Sequence, residues 1–297
     1  NLCGVGVIFY VLLSLRTELR KLNRFLIEPE PILSDLLDLV ALGTISDLVK
    51  LDLNNRILVN FGIKKIRSGS CNFGIEALTN LSKKKLKDIK TSDLSFSIAP
   101  KINAAGRLDD MAIGIKCLIA KNKNEAENYA KQLVVFNEQR KLVENKMKDE
   151  ALSTLSDFIV DDNYTITMYD IKWHQGVIGI VASRLKEKYY RPTIIFAKDD
   201  SGLLKGSGRS ISSFHLKDAL DLVSKKNPDL ILTFGGHAMA AGLTIKLENF
   251  KKFCTEFEII AKELLSPADL NLIIEFDKSI PKEYLNHETI KTINSQV

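Results

Sequence analysis

From Asn124 to Phe158 the chain has neither proline nor glycine, and Tyr129, Leu133, Phe136, Val143, Met147, Ala151, Leu155 and Phe158 recur at spacings of three, four or their sums. That period puts them on one stripe of a single long amphipathic helix. Arg140 falls on the stripe, where its charge must find an acceptor or reach water. Before this helix, apolar runs alternate with glycine-marked turns, as in Ala41-Leu-Gly-Thr-Ile-Ser-Asp47 and Phe73-Gly-Ile-Glu-Ala-Leu78. They read as the helical part of an α/β domain whose strands lie mostly upstream. After it the texture changes. Tyr164–Tyr169, Pro192–Ala197, Leu203–Ile211 and Leu230–Phe234 carry the β-branched and aromatic residues of strands. Gly176–Tyr190, Phe214–Lys225 and Asn249–Leu265 have helical spacing, so this half is a second α/β domain. A further strand signal, Leu270–Phe276, follows Pro267 and begins something new.

The balance of 45% apolar and 27% charged residues over 297 positions is that of a globular chain, and the length accommodates two cores. A formal charge of +5 permits a polyanionic partner without requiring one. The cluster Lys83-Lys84-Lys85-Leu86-Lys87 reads first as a solvated surface. Cys3, Cys71, Cys117 and Cys254 are scattered, with no metal-ligand spacing, which fits a reduced, cytoplasmic compartment. The apolar run from Leu2 to Leu15 is too short to span a bilayer and lacks a basic segment before it. It reads as a buried helix of a domain that starts upstream of Asn1, so no membrane association is expected.

Chemistry concentrates in glycine-flanked polar segments. In Lys205-Gly-Ser-Gly-Arg-Ser210 a hydroxyl and a guanidinium lie between glycines, a combination suited to phosphate oxygens if the glycines let the backbone approach. The alternative is a bulged strand whose arginine faces solvent. The segment is no Walker motif, because its lysine precedes the glycines. Lys172-Trp173-His174-Gln175-Gly176 sits where a strand passes into a helix, a setting that cradles anions. There Trp173 either plugs a core or presents the turn. Gly235-Gly236-His237 reads as a second strand-to-helix turn with a histidine, and the two turns would converge at one sheet edge. Asn103-Ala-Ala-Gly-Arg107 is a third glycine-arginine element, with Arg107 either in a salt bridge to Asp109 or Asp110 or in a binding site. Asp47 is either a turn residue or one ligand of a metal site, and one carboxylate alone does not hold a catalytic ion.

Together, Leu39–Asp47, Asn54-Asn-Arg56, Asn103–Asp110, Trp173–Gly179, Lys205–Ser210 and Gly235-Gly-His-Ala-Met-Ala-Ala-Gly242 resemble, in order, the RecJ-type single-strand-specific exonucleases of the Asp-His-His phosphoesterase superfamily. The resemblance covers Leu2 to about Leu265. It implies an α/β protein in which the C-terminal part of a phosphoesterase domain (1–123) is joined by a long helix (124–159) to a smaller α/β substrate-binding domain (160–266). Residues 267–297 would begin an oligonucleotide-binding barrel. The two domains would face each other across a cleft that threads DNA. It also implies Mn²⁺- or Mg²⁺-dependent hydrolysis of single-stranded DNA from its 5′ end in repair and recombination, with a single-strand-binding protein or helicase as partner. By the same resemblance Asp47 is a catalytic metal ligand, and Arg107, Ser207 and Arg209 hold the terminal phosphate, with Asn103 in the same element as Arg107. Gly235, Gly236 and His237 contact substrate, and His174 and Gln175 take a cleft position. The family's other metal-ligand motifs are expected upstream of Asn1, which would leave this chain inactive alone. Other phosphodiesterases of the superfamily, acting on nanoRNA or cyclic dinucleotides, and a non-catalytic nucleic-acid-binding scaffold are the alternatives.

Overall fold

The computed structural model describes residues 1–108, 110–156, 163–273, 276 and 278–295. Its contacts divide the chain into two compact units, Asn1–Asn137 with Lys278–Val297, and Glu138–Asp277.

Every regular element described in the first unit is a helix. Helices α1 (Gly4–Lys21), α2 (Leu37–Ser46), α3 (Leu53–Arg67) and α4 (Phe73–Leu81) come first. A single turn, α5 (Thr91–Asp93), continues through a wider π segment (Leu94–Ile98) into α6 (Ala99–Leu108), and α7 (Ala112–Leu118) follows. α2 buries Val40, Ala41, Leu42 and Ile45. α3 crosses it closely at Gly62, where a Cβ would overlap Leu37 O and Ala41 Cβ. Side chains close the helix starts: Asp52 accepts from Asn55 N, and Asn72 from Gly74 N and Ile75 N. Ile66, Ile75, Leu78, Ile89, Leu94 and Ile98 form the core, joined by Ala126, Ala130 and Leu133 from the start of the long helix α8 (Lys123–Ser156). Further along α8, Met147 and Ala151 belong to a core of the second unit. Leu155 and Phe158 of the predicted stripe lie outside the described side chains. Arg140, the interruption in that stripe, finds its acceptor one turn on, donating from Nη1 to Glu144 Oε2 at 2.8 Å. Glu144 also accepts from Arg184 Nε.

The second unit is one five-stranded sheet, ordered β1 (Ile166–Asp170), β2 (Thr193–Lys198), β3 (Leu204–Arg209), β5 (Ala240–Ile245), β4 (Thr233–Gly236). β1 and β2 are parallel, connected by α9 (Ile178–Tyr189), and every other pairing is antiparallel. α10 (Leu216–Lys226) and α11 (Phe250–Leu264) cover one face, packing Leu216, Leu220, Phe253 and Phe257 on Ile194, Phe196, Leu204 and Leu243. On the other face α9 and the second half of α8 cover Ile166, Ile195 and Ala197.

Two expectations fail here. Gly235-Gly236-His237 does not pass into a helix: it ends β4 and turns back into β5 as a hairpin, closed by His237 N donating to Ala240 O at 2.8 Å. The alanines and glycine of Ala240-Ala241-Gly242 hide a strand whose alternation shows only from Leu243 onward. Nor does Leu270–Phe276 make a strand among its described residues. Pro267–Leu270 is a 3₁₀ turn capped by Ser266, and the later described element is helix α12 (His287–Ser295). Ile274 and Glu275 lie outside the described residues.

Candidate phosphate-binding site

The parity of β3 determines the site. Side chains alternate along a strand, so Lys205, Ser207 and Arg209 share one face while Gly206 and Gly208 share the other. That other face is the α10–α11 core. A Cβ on Gly206 would lie 2.5 Å from Phe196 Cε1 and 2.6 Å from Leu243 Cδ2, and one on Gly208 2.7 Å from Leu216 Cδ2. These two glycines therefore make room for core side chains and do not bring backbone to a ligand. Nor are the amides of β3 exposed, since it pairs with β2 on one side and β5 on the other. This corrects the cradle reading of the segment: its ligand chemistry lies in side chains alone.

Ser207 and Arg209 face the first turn of α9. Arg209 Nη1 donates to Ser207 Oγ at 3.2 Å and to Gly208 O at 2.8 Å, folding the guanidinium back toward the serine. The opposing helix residue is Gly179, where a Cβ would come within 2.8 Å of Ser207 Oγ and 3.0 Å of Arg209 Nη2. Here a glycine does allow close approach. The N-cap residue of α9, Val177, makes no side-chain cap hydrogen bond. A hydroxyl, a guanidinium and the positive end of a helix meet at one point, which is the chemistry of an anion site.

The turn before α9 is fixed from below. Trp173 is buried, with Nε1 donating to Glu150 Oε2 of α8 at 3.0 Å, so it anchors the turn in the core. His174 and Gln175 are thereby left exposed above it. His174 Nδ1 accepts from Gly176 N at 3.0 Å, so the neutral ring carries its proton on Nε2. Gln175 Nε2 reaches Lys198 O at 3.5 Å.

On the sheet beside this point, Ser207 faces Gly242 of β5, which faces Gly235 of β4. Residues directly opposite share a face. A Cβ on Gly242 would meet only Gly206 O at 3.8 Å, and one on Gly235 nothing within 4 Å. The row is a bare floor running from Ser207 to the hairpin that carries exposed His237. Gly236 has a structural duty: its φ is +145°, and a Cβ would lie 2.5 Å from Ala241 Cα. The second unit thus brings Gly179, Ser207, Arg209, Gly242 and Gly235 to one face of the sheet, whereas Gly236 pairs with Ala241 on the α10–α11 side, and His174 and Gln175 lie on the turn before α9 and His237 on the β4–β5 hairpin. The sequence reading missed Gly179 and Gly242, although both sit inside motifs it singled out. Ser210, at the end of the segment, is buried and donates to Phe214 O at 2.6 Å.

In the first unit, Asn103 and Arg107 are exposed one turn apart on α6. Asp109, one of the two proposed partners of Arg107, lies outside the described residues. Asp110 Oδ1 accepts from Ala112 N at 2.9 Å. Asp47 is the exposed C-cap of α2. Among the described residues no group of three or more His, Cys, Asp or Glu side chains could hold a metal ion. Asp47 therefore does not make a metal site from these residues. The lysines at 83–87 are exposed, and Lys84 pairs with Asp93 at 3.0 Å. No described helix is long and apolar enough to cross a membrane.

Comparison with known proteins agrees with this picture. Residues 161–263, which include the whole sheet, match the DHHA1 domain family. The chain is 44% identical over 99% of its length to the single-stranded-DNA-specific exonuclease RecJ of Haemophilus influenzae, and 46% identical over 90% of its length to that of Escherichia coli. It spans about half the length of these relatives, 52% and 47% respectively. A crystal structure of Thermus thermophilus RecJ in complex with Mg²⁺ superposes with a TM-score of 0.74 at 32% identity, covering 88% of this chain and 38% of that one. Its counterpart with Mn²⁺ gives 0.75 at 31%, covering 89% and 37%.

Proposed function

We propose, from the premise that this chain belongs to the RecJ family, that its second unit holds the 5′-terminal phosphate of single-stranded DNA. The protein would then remove nucleotides from that end, 5′ to 3′, by metal-dependent phosphodiester hydrolysis in repair and recombination. The observation that carries the reading is the placement of Ser207 and Arg209 against Gly179 in the first turn of α9. Arg209 supplies two-point recognition of phosphate oxygens, Ser207 a hydroxyl donor, and the helix end a favourable field. A pocket that closes on a terminal phosphate stops the strand there, so the same ester bond is presented at each turnover.

The remaining residues take roles around that anchor. His174, through Nε2–H, and Gln175 contact the backbone near the helix start. The Gly242–Gly235 floor leaves space for the nucleoside, and His237 closes its far end. Asn103 and Arg107 contribute nucleic-acid contacts from the first unit. Asp47 supplies one carboxylate to a Mg²⁺ or Mn²⁺ site whose other ligands are not among the described residues. A cytoplasmic location suits the free thiols, and a single-strand-binding protein or helicase would supply the substrate.

The test uses the whole product of the gene and single strands labelled at one end. Label at the 5′ end should be released as mononucleotide before label at the 3′ end, and Asp47→Ala should raise the Mn²⁺ concentration needed for half-maximal rate. Release starting from the 3′ end would exclude the reading, and an unchanged Mn²⁺ titration would remove Asp47 as a ligand.

A further inference from the structure

Lys205 lies on the same face of β3 as Ser207 and Arg209, one pleat from the serine on the side away from the arginine. Its ammonium is placed by the neighbouring strand: Nζ donates to Thr244 Oγ1 at 3.1 Å, and Thr244 is its direct partner on β5. The nearest carboxylate, Asp199 Oδ2, is 3.8 Å away, beyond hydrogen-bond range. Asp199 accepts at its other oxygen, Oδ1, from Leu203 N at 2.8 Å and Ser201 Oγ at 2.6 Å, so its turn holds it in place and it faces Lys205 as an ion pair and not as a hydrogen-bond partner. An ammonium has three donors, and the side chain of Lys205 keeps 43% of its surface exposed. It is thus steadied without being used up. From β5 no side chain stands beside the serine, because the position opposite it is Gly242. Two residues of strand rise separate Lys205 from Ser207, about 7 Å, which a lysine stem can reach across.

We infer that Lys205, steadied by Thr244, is the second cation that the second unit brings to the terminal phosphate and makes the pocket selective for a phosphomonoester over a phosphodiester. The inference rests on the reading of Ser207 and Arg209 as holders of the 5′ phosphate. Its chemical basis is charge. Every phosphate inside a strand is a diester with one negative charge, whereas a terminal monoester approaches two at neutral pH, its second pKa being about 6. One guanidinium neutralises a diester. A guanidinium with an ammonium matches a dianion better than a monoanion, with Asp199, 3.8 Å from the ammonium, offsetting part of its charge. A pocket with both cations therefore distinguishes the end of a strand from its interior by charge as well as by shape.

The experiment measures binding at pH 8 in metal-free buffer, so that nothing is hydrolysed. Two thymidine oligomers are compared, one with a 5′ phosphate and one with the same phosphate capped as its methyl ester. The wild-type protein should prefer the monoester by about tenfold, the scale of one charge-assisted hydrogen bond. Lys205→Met should reduce that preference to about twofold by weakening the monoester alone, while Lys205→Arg restores most of it. Both variants should melt with the wild type, because the side chain lies at the surface. Arg209→Ala should weaken both oligomers. If Arg209→Ala weakens both while Lys205→Met affects them equally or not at all, Lys205 has no such role and the phosphate pocket stands. A wild-type protein without preference overturns the inference in the same way. If Arg209→Ala changes neither affinity, the pocket itself is wrong, and Lys205 falls with it.

Discussion

Gly179 and Gly206 lack the same atom for opposite reasons, and substitution separates them. In Gly179→Ala the new methyl meets Ser207 Oγ and Arg209 Nη2 on the ligand side, at the flexible end of a side chain. Alanine also favours the helix by up to about 1 kcal/mol. Thermal melting should therefore show unchanged or higher stability, while affinity for 5′-phosphorylated single strands drops severalfold. In Gly206→Ala the methyl enters the packed face between Phe196 and Leu243, which costs about 1–3 kcal/mol. Denaturant unfolding should show that loss, with binding of the surviving folded protein unchanged. The sequence brings to notice the two segments that contain these glycines but gives Gly179 no role and does not tell the two apart. Residue order places a hydroxyl, a guanidinium and two glycines together. Only the pairing of β3 on both edges shows that the amides between them are engaged. The two-residue alternation of Lys205, Ser207 and Arg209 was available in the sequence, and it was the signal for which groups share a face.

Among the elements, the β4–β5 hairpin and helix α8 carry the clearest consequences. Gly236 sits at φ +145° with Ala241 Cα directly in the way of any Cβ, so Gly236→Ala should destabilise the second unit by at least about 1 kcal/mol. Gly235→Ala, one residue earlier over open space, should leave unfolding nearly unchanged. Chemical denaturation of the pair checks both. In α8, Arg140 and Glu144 are largely buried together, their side chains 14% and 10% exposed. Glu144→Ala strands the guanidinium and should cost about 3 kcal/mol, while Glu144→Gln, which keeps an acceptor, should cost less. The helix was legible because its apolar period runs uninterrupted by glycine or proline, and Arg140 was legible as a charge that needed an acceptor. β5 was not. Alanine and glycine at 240–242 carry no strand signature, and the strand exists because β3 and β4 offer edges on both sides of it. The expected turn into a helix failed for the same reason, since a local reading has no access to those edges.

At the scale of the whole molecule, the two units differ in how much their sequence reveals. The second has alternating strands and helices that the period of apolar residues outlines, and its fold carries the DHHA1 match over 161–263. The first is a helical assembly in which Asp47, Asn103 and Arg107 are exposed positions, and their proposed roles come from family membership more than from local geometry. The thiols are quiet in both: burial pushes Cys71 and Cys117 up to about 11 and Cys254 up to about 12. A raised thiol pKa leaves less thiolate at a given pH. At pH 8 alkylation should therefore be roughly a hundredfold slower in the folded than in the unfolded protein at Cys71 and Cys117, and roughly a thousandfold slower at Cys254. Mass spectrometry after a timed iodoacetamide pulse reads this directly. The central claim is that the second unit grips a 5′-terminal phosphate through Arg209 and Ser207. Its most direct test is the ratio of dissociation constants for one single strand bearing a 5′ hydroxyl or a 5′ phosphate, measured without metal for the wild type and Arg209→Ala. The account predicts a ratio of about ten or more in the wild type, falling to near one in the variant; a wild-type ratio near one, or a ratio that survives the substitution, would contradict it.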